Sequence, residues 1–95
     1  MSNGIKFVHC RNLNDDGSIN PRGGLCIAYA TNDDQKVVGY AAAKCHPNDN
    51  YVKAVARAKA AGRMKSAKYY QDVPELDEKA FIINAREGYQ DKFQE

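Results

Sequence analysis

The chain has 95 residues, of which 43% are hydrophobic and 27% charged, with a formal net charge of +2. These values fit a single folded domain over 1–95 with one modest core, and they exclude a disordered chain. No apolar run reaches the roughly 18–20 residues that cross a bilayer, so membrane partners are not expected.

The first predicted element is a strand over 5–11. A turn-rich loop follows, containing Asp15-Asp16-Gly17-Ser18 and Asn20-Pro21-Arg22-Gly23-Gly24. Strands are then predicted over 25–31 and 36–45, joined by the loop Asn32-Asp33-Asp34-Gln35. If Thr31 faces Lys36, then Ala30 faces Val37, Ala28 faces Gly39 and Cys26 faces Ala41. On the other face Tyr29 meets Val38, Ile27 meets Tyr40 and Leu25 meets Ala42. Because side chains alternate along a strand, this register sorts small residues onto one face and larger ones onto the other.

His46-Pro47-Asn48-Asp49-Asn50 reads as the end of that strand and the start of a helix over about 49–70, with Asn48 or Asp49 as N-cap. Its apolar seam is expected at Tyr51, Val55, Ala58, Gly62 and Tyr69, and Pro74 ends the segment. Ala80-Phe81-Ile82-Ile83-Asn84 reads as a fourth short strand. Residues 1–4 are expected to be a loose tail, and about 86–95 either a loose tail or a short terminal helix. The fold class expected is therefore α+β: a three- or four-stranded antiparallel sheet packed against one long basic helix.

Charge is distributed unevenly. Residues 51–71 hold six cations, Lys53, Arg57, Lys59, Arg63, Lys65 and Lys68, and no acid, while residues 72–95 hold seven acids against three bases. Cations without intervening acids cannot pair along their own helix, so they require anions from elsewhere in the fold or from a ligand. The expected binding residues are Lys53, Arg57, Lys59, Arg63 and Lys68, with Arg22 before the Gly23-Gly24 turn. The arginines are the sharper candidates, since a guanidinium binds phosphate or carboxylate bidentately. A solvated lysine-rich surface, or one covered by the acidic tail, is the plainer reading of the same residues. Ala54, Ala58, Ala61 and Gly62 would let the helix approach this chain's own sheet closely. A homo-oligomer through the same small residues is the alternative.

Cys10, Cys26 and Cys45 are odd in number and widely spaced, which favours reduced thiols in a cytoplasmic setting. Met1-Ser2-Asn3-Gly4-Ile5-Lys6 has no apolar leader segment. Adjacent pairs such as His9-Cys10 and Cys45-His46 point to opposite faces of a strand, and no C-x-x-C knuckle is present, so no metal is expected. No cofactor fingerprint or catalytic motif occurs, and Cys45, His46 and Asp49 have no spacing that makes a base–nucleophile contact. The chain reads as a non-enzyme.

The stretch Ala43-Lys44-Cys45-His46-Pro47-Asn48-Asp49-Asn50-Tyr51-Val52-Lys53, continuing to Arg57-Ala58-Lys59-Ala60-Ala61-Gly62-Arg63, resembles a pattern of small bacteriophage-encoded proteins. In that pattern a strand ends in cysteine, a proline–aspartate turn follows, and an aromatic–lysine pair opens a helix with two arginines six apart. Ala56 stands where the pattern has a glycine. The resemblance implies a phage accessory protein in the bacterial host cytoplasm that counters a host defence. Its target would be anionic: a nucleotide signal, a nucleic acid or an acidic host-protein surface. A plain nucleic-acid-binding module and a self-assembling structural protein are the alternatives.

Overall fold

The computed structural model describes residues 5–93, with side chains as far as Tyr89. The elements are β1 (Ile5–Cys10), β2 (Arg22–Thr31), β3 (Lys36–Asn50), α1 (Lys53–Met64), β4 (Gln71–Asp77) and α2 (Glu78–Phe93). The four strands form one antiparallel sheet in the order β1-β2-β3-β4. The helices lie on opposite faces of it. The single long helix expected from the sequence is thus replaced by two shorter ones. Of the expected tails, 1–4 lies outside the described residues and 86–93 belongs to α2.

The sorting of side chains builds both faces. Cys26, Ala28 and Ala43 are buried on one face with Ala56 and Ala60 of α1, and Tyr51 completes that cluster. Val8, Cys10, Ile27, Tyr29 and Val37 are buried on the other, with Phe81 and Tyr89 of α2. Phe81 sits between Tyr29 and Tyr40, with ring centroids 5.1 and 5.6 Å away. Burial of one such side chain contributes ~1.5–3 kcal/mol.

The central hairpin has the expected loop at 32–35 but a different register. Ala30 pairs with Gly39, Tyr29 with Tyr40 and Ala28 with Ala41, two residues along from the expected pairing. A shift of two keeps the faces sorted. Its cause is local: Asn32 Oδ1 accepts the amides of Asp34 and Lys36, Gln35 adopts φ 60°, and the register slips between Ala30 and Thr31. Val38 becomes an extra residue, so Val37 faces Thr31 and turns to the α2 side, where it is fully buried.

β3 does not stop at Cys45. Arg22 pairs with Asn50 and Gly24 with Cys45, so Gly23 alone stands opposite residues 46–49. Pro47 lies in this excursion, where no ladder bond needs its missing N–H. Gly23 and Gly24 take φ 72° and 139°, and a Cβ on Gly24 would come within 2.6 Å of the Tyr51 ring. The Cys45 thiol lies 3.6–3.7 Å from the carbonyls of His46, Asp49 and Asn50. Helix α1 therefore starts later than expected, with Val52 at its N-cap and no side-chain cap bond.

Helix α1 also ends early. Beyond Met64 the Ser66 carbonyl accepts the amides of Tyr69 and Tyr70, which turns the chain back to the sheet. Tyr70 then lies over Gly39, where a Cβ would collide with its hydroxyl. Residues 71–77, between the expected helix and the expected fourth strand, pair with Lys36–Tyr40 as β4. Pro74 is accommodated between the pairs Gly39–Asp72 and Val37–Leu76, again off the ladder.

The apolar run at 80–84, expected as a strand, is the first turns of α2. Phe81, Ala85 and Tyr89 recur at helical spacing on the sheet, while Ile83 faces outward, 52% exposed. Asp77 Oδ2 accepts the Ala80 amide, as an N-cap does. Glu78 fastens this helix to the sheet by accepting from Lys6 Nζ at 3.0 Å and from the Tyr29 hydroxyl at 2.8 Å.

Two measurements check this packing. Gly39→Ala should cost about 1–3 kcal/mol in urea unfolding, because Tyr70 must move. Gly62→Ala, where an added methyl meets open space in a helix, should instead gain about 0.5–1 kcal/mol. The bonds from Tyr29 and then Lys6 hold the Glu78 carboxyl below its usual 4.5. Its contribution to stability is therefore complete above about pH 4.5 and is lost as pH falls through the lower folded-state value. Glu78→Gln should lower stability near neutrality and flatten that acid limb in a pH series of unfolding curves.

Candidate anion-binding site

Helix α1 carries most of the residues expected to bind, but its orientation differs from the expected one. The buried line is Ala56 and Ala60, with Met64 packed beside them. Val55, Ala58 and Gly62 of the expected seam are exposed. That seam assumed a helix beginning at residue 49, whereas Tyr51 precedes α1 and enters the core from the end of the β3 excursion.

At about 100° per residue, this orientation places Lys53 and Arg57 on one flank of the buried line and Lys59 on the other. All three are exposed. Among the described residues the ion pairs are Lys6–Glu78 and Lys36–Asp77, so no carboxylate pairs with a cation of α1. The first turn of α1 holds no acid, and its N-terminal amides lack a side-chain cap. The partial positive charge of that helix end adds to the lysine and arginine charges.

Arg63 is not part of this open surface. Its Nη1 donates to the Ala42 carbonyl at 2.9 Å, and its guanidinium lies 4.6 Å from the Tyr69 ring centroid. Ala42 follows the last β3 residue paired with β4, so Arg63 serves the strand where β4 has ended. Lys68 lies in the turn after α1, exposed, with Nζ 5.5 Å from the same Tyr69 ring. Arg22 opens β2, exposed, its amide bonded to Asn20 Oδ1. Thus Lys53, Arg57 and Lys59 share α1, and Arg63 is withdrawn into a structural role.

The flank carrying Lys53 and Arg57 gains residues that were not among the expected binding residues. His9 and Arg11 are two apart, and His9 pairs with Cys26 on the α1 face of the sheet. His9 Nδ1 is 2.7 Å from the Tyr51 hydroxyl, and the two rings meet edge to face. The Arg11 guanidinium lies 4.4 Å from the centroid of the same tyrosine ring. Its Nε is buried and, among the described residues, has no hydrogen-bond partner. Partial burial, then the charges of Lys53, Arg57 and Arg11, push the His9 imidazole below its usual 6.5. Burial pushes the Tyr51 phenol up, so it remains a proton carrier, and its hydroxyl also lies 3.3 Å from the Leu25 carbonyl. The two-residue spacing of His9 and Arg11 was visible in the sequence, but nothing local marked this end of β1 as the one beside a flank of α1.

On the other flank a pocket of about 360 Å³ opens between the β3 excursion and α1, lined by Cys45, His46, Asp49, Val52, Val55 and Lys59 among others. Cys45 contacts main-chain carbonyls there, and His46 Nδ1 accepts the Asn48 amide at 3.1 Å. The Cys10 and Cys26 thiols are buried, and burial raises both above the usual value. No group of three or more His, Cys, Asp or Glu side chains suited to a metal ion occurs among the described residues.

No family model, curated protein or solved structure matches this chain. Among the described residues, no helix is long and apolar enough to cross a membrane.

The electrostatics of the β1 flank predict an outcome for single substitutions. Arg57→Ala and Lys53→Ala should each raise the His9 titration midpoint toward 6.5, since each removes a charge that opposes its protonation. Proton NMR of the two histidines, with His46 as internal control, measures the change.

Proposed function

We propose that this protein is a non-enzymatic binder of an anionic target, engaged through the outer surface of α1. The observation that carries this reading is that Lys53, Arg57 and Lys59 are exposed and have no carboxylate partner among the described residues. An uncapped, acid-free helix start beside them strengthens the positive field. The described acids of the C-terminal quarter that form ion pairs do so elsewhere: Glu78 with Lys6, and Asp77 with Lys36. The target belongs to one of three classes, a nucleotide signal, a nucleic acid or an acidic host-protein surface. The resemblance over 43–63 adds the proposal of a phage accessory role against a host defence, in the cytoplasm of the bacterial host.

Self-association through the small residues of α1 is a second reading, and α2 covers the other face of the sheet. The small residues Ala54, Ala58 and Gly62 remain exposed on α1.

Binding to nucleotides and to short DNA and RNA strands, measured at low salt, tests this proposal. Lys53→Ala/Arg57→Ala should lower affinity by at least about tenfold with an unchanged melting temperature, and nucleic-acid binding should weaken steeply with salt. Arg63→Ala should behave oppositely, costing about 1–3 kcal/mol of stability through the lost Ala42 bond. Equal binding by the double variant and the wild type would remove α1 as the binding surface.

A further inference from the structure

We propose that Arg11, Lys53 and Arg57, gathered around the His9–Tyr51 pair between β1 and α1, form a phosphate-binding notch in which His9 is the proton-dependent fourth donor. This proposal rests on the anion-binding reading above and names the site, the chemical class of the ligand and its pH dependence.

The notch is built from two rigid elements. Lys53 and Arg57 stand one turn apart on α1, where side chains at i and i+4 are neighbours. His9 lies in β1, and Arg11 is the first residue beyond its end. Tyr51 holds both: its ring underlies the Arg11 guanidinium, and its hydroxyl meets His9 Nδ1. Stacking fixes the guanidinium without using a hydrogen-bond donor, and its buried Nε is unpartnered among the described residues. With Nδ1 engaged, Nε2 is the imidazole nitrogen left for a ligand.

The charged and titratable groups facing His9 are Lys53 and Arg57 from α1, Arg11 from just beyond the end of β1, Tyr51 from the segment before α1, and Cys26 opposite it on β2. None is a carboxylate. Three cations and an imidazole around an ion-pair-free space match a phosphate carrying two charges and three acceptor oxygens better than a singly charged carboxylate. Such a group reverses the field at His9. The cations that oppose its protonation are screened by the ligand, and the imidazolium gains a charged acceptor, so phosphate binding takes up a proton. The Tyr51 phenol can accept from Nδ1–H while donating to the Leu25 carbonyl, which supports the protonated ring.

The experiment uses the full chain with pyrophosphate and with a short single-stranded oligodeoxynucleotide, by calorimetry and histidine NMR at low salt. Saturating ligand should raise the His9 midpoint and leave His46 in place. The ratio of wild-type to His9→Gln affinity, in which the ligand's own ionisation cancels, should fall roughly tenfold from about pH 5.5 to about pH 7.5. Arg11→Ala should weaken binding at least about tenfold. Arg57→Ala, at an exposed position, repeats that test should Arg11→Ala disturb the Tyr51 packing. Tight pyrophosphate binding supports the notch and identifies a free phosphate or nucleotide as the source; binding of the oligonucleotide alone, whose phosphodiesters each carry one charge and two free oxygens, overturns the notch while the broader anion-binding reading stands. Ligand binding that leaves His9 unmoved and survives both arginine variants overturns the notch while the broader anion-binding reading stands. Absence of binding to either probe overturns both.

Discussion

The close seating of α1 on an alanine-lined sheet face is the constraint from which the other features follow. Ala56 and Ala60 meet the thiol and methyl groups of Cys26, Ala28 and Ala43, with Tyr51, Phe7 and Met64 in the same cluster. A helix held that close has no room for long side chains beneath it, and its lysines and arginines leave along the two flanks. One flank then leans over β1 and the other over the end of β3. The same closeness lets Arg63 reach the Ala42 carbonyl and lets Tyr70 lie directly over Gly39.

The two layers outside the sheet differ in electrical character because they differ in how their charges are used. On the α2 side, Glu78 is bonded to Lys6 and Tyr29, and burial together with Glu78 pushes the Tyr29 phenol up to about 12. Opposite charges there close on each other and fasten a helix. Among the described residues, the cations on the α1 side have stacking and carbonyl partners at most. Arg11 and Arg63 each lie against a tyrosine, which fixes a guanidinium in position without cancelling its charge.

Much of the sheet was legible because period-2 sorting is a strong local signal. The strands, the 32–35 loop and the division into small and large faces all follow from residues 25–45. The register and the fate of Val37 did not, since both turn on the extra residue Val38 and on the αL conformation of Gln35. β4 was hidden because only Val73 and Leu76 pack inward, around a proline that normally argues against a strand. α2 was misread because Phe81-Ile82-Ile83 is equally apolar in either periodicity. The telling signs were Asp77 before Glu78 and the recurrence of Phe81, Ala85 and Tyr89. Of the site, the lysines and Arg57 on α1 were visible as an acid-free run. Arg63's inward role and the contributions of His9, Arg11 and Tyr51 depend on which strand lies under the helix, and one-dimensional spacing does not contain that information.

The order of α2 after the sheet has a consequence for synthesis. All four strands and α1 precede it, so the sheet can assemble on a ribosome while Val8, Ile27, Tyr29 and Val37 still face water. That nascent intermediate would be a finished platform with one greasy side, vulnerable to sticking until the sixteen residues of α2 emerge and lie down. The bonds joining that helix to β1 and the loop after it, Glu78 to Lys6 and Tyr89 to Asn12, then tie together segments translated well apart in time.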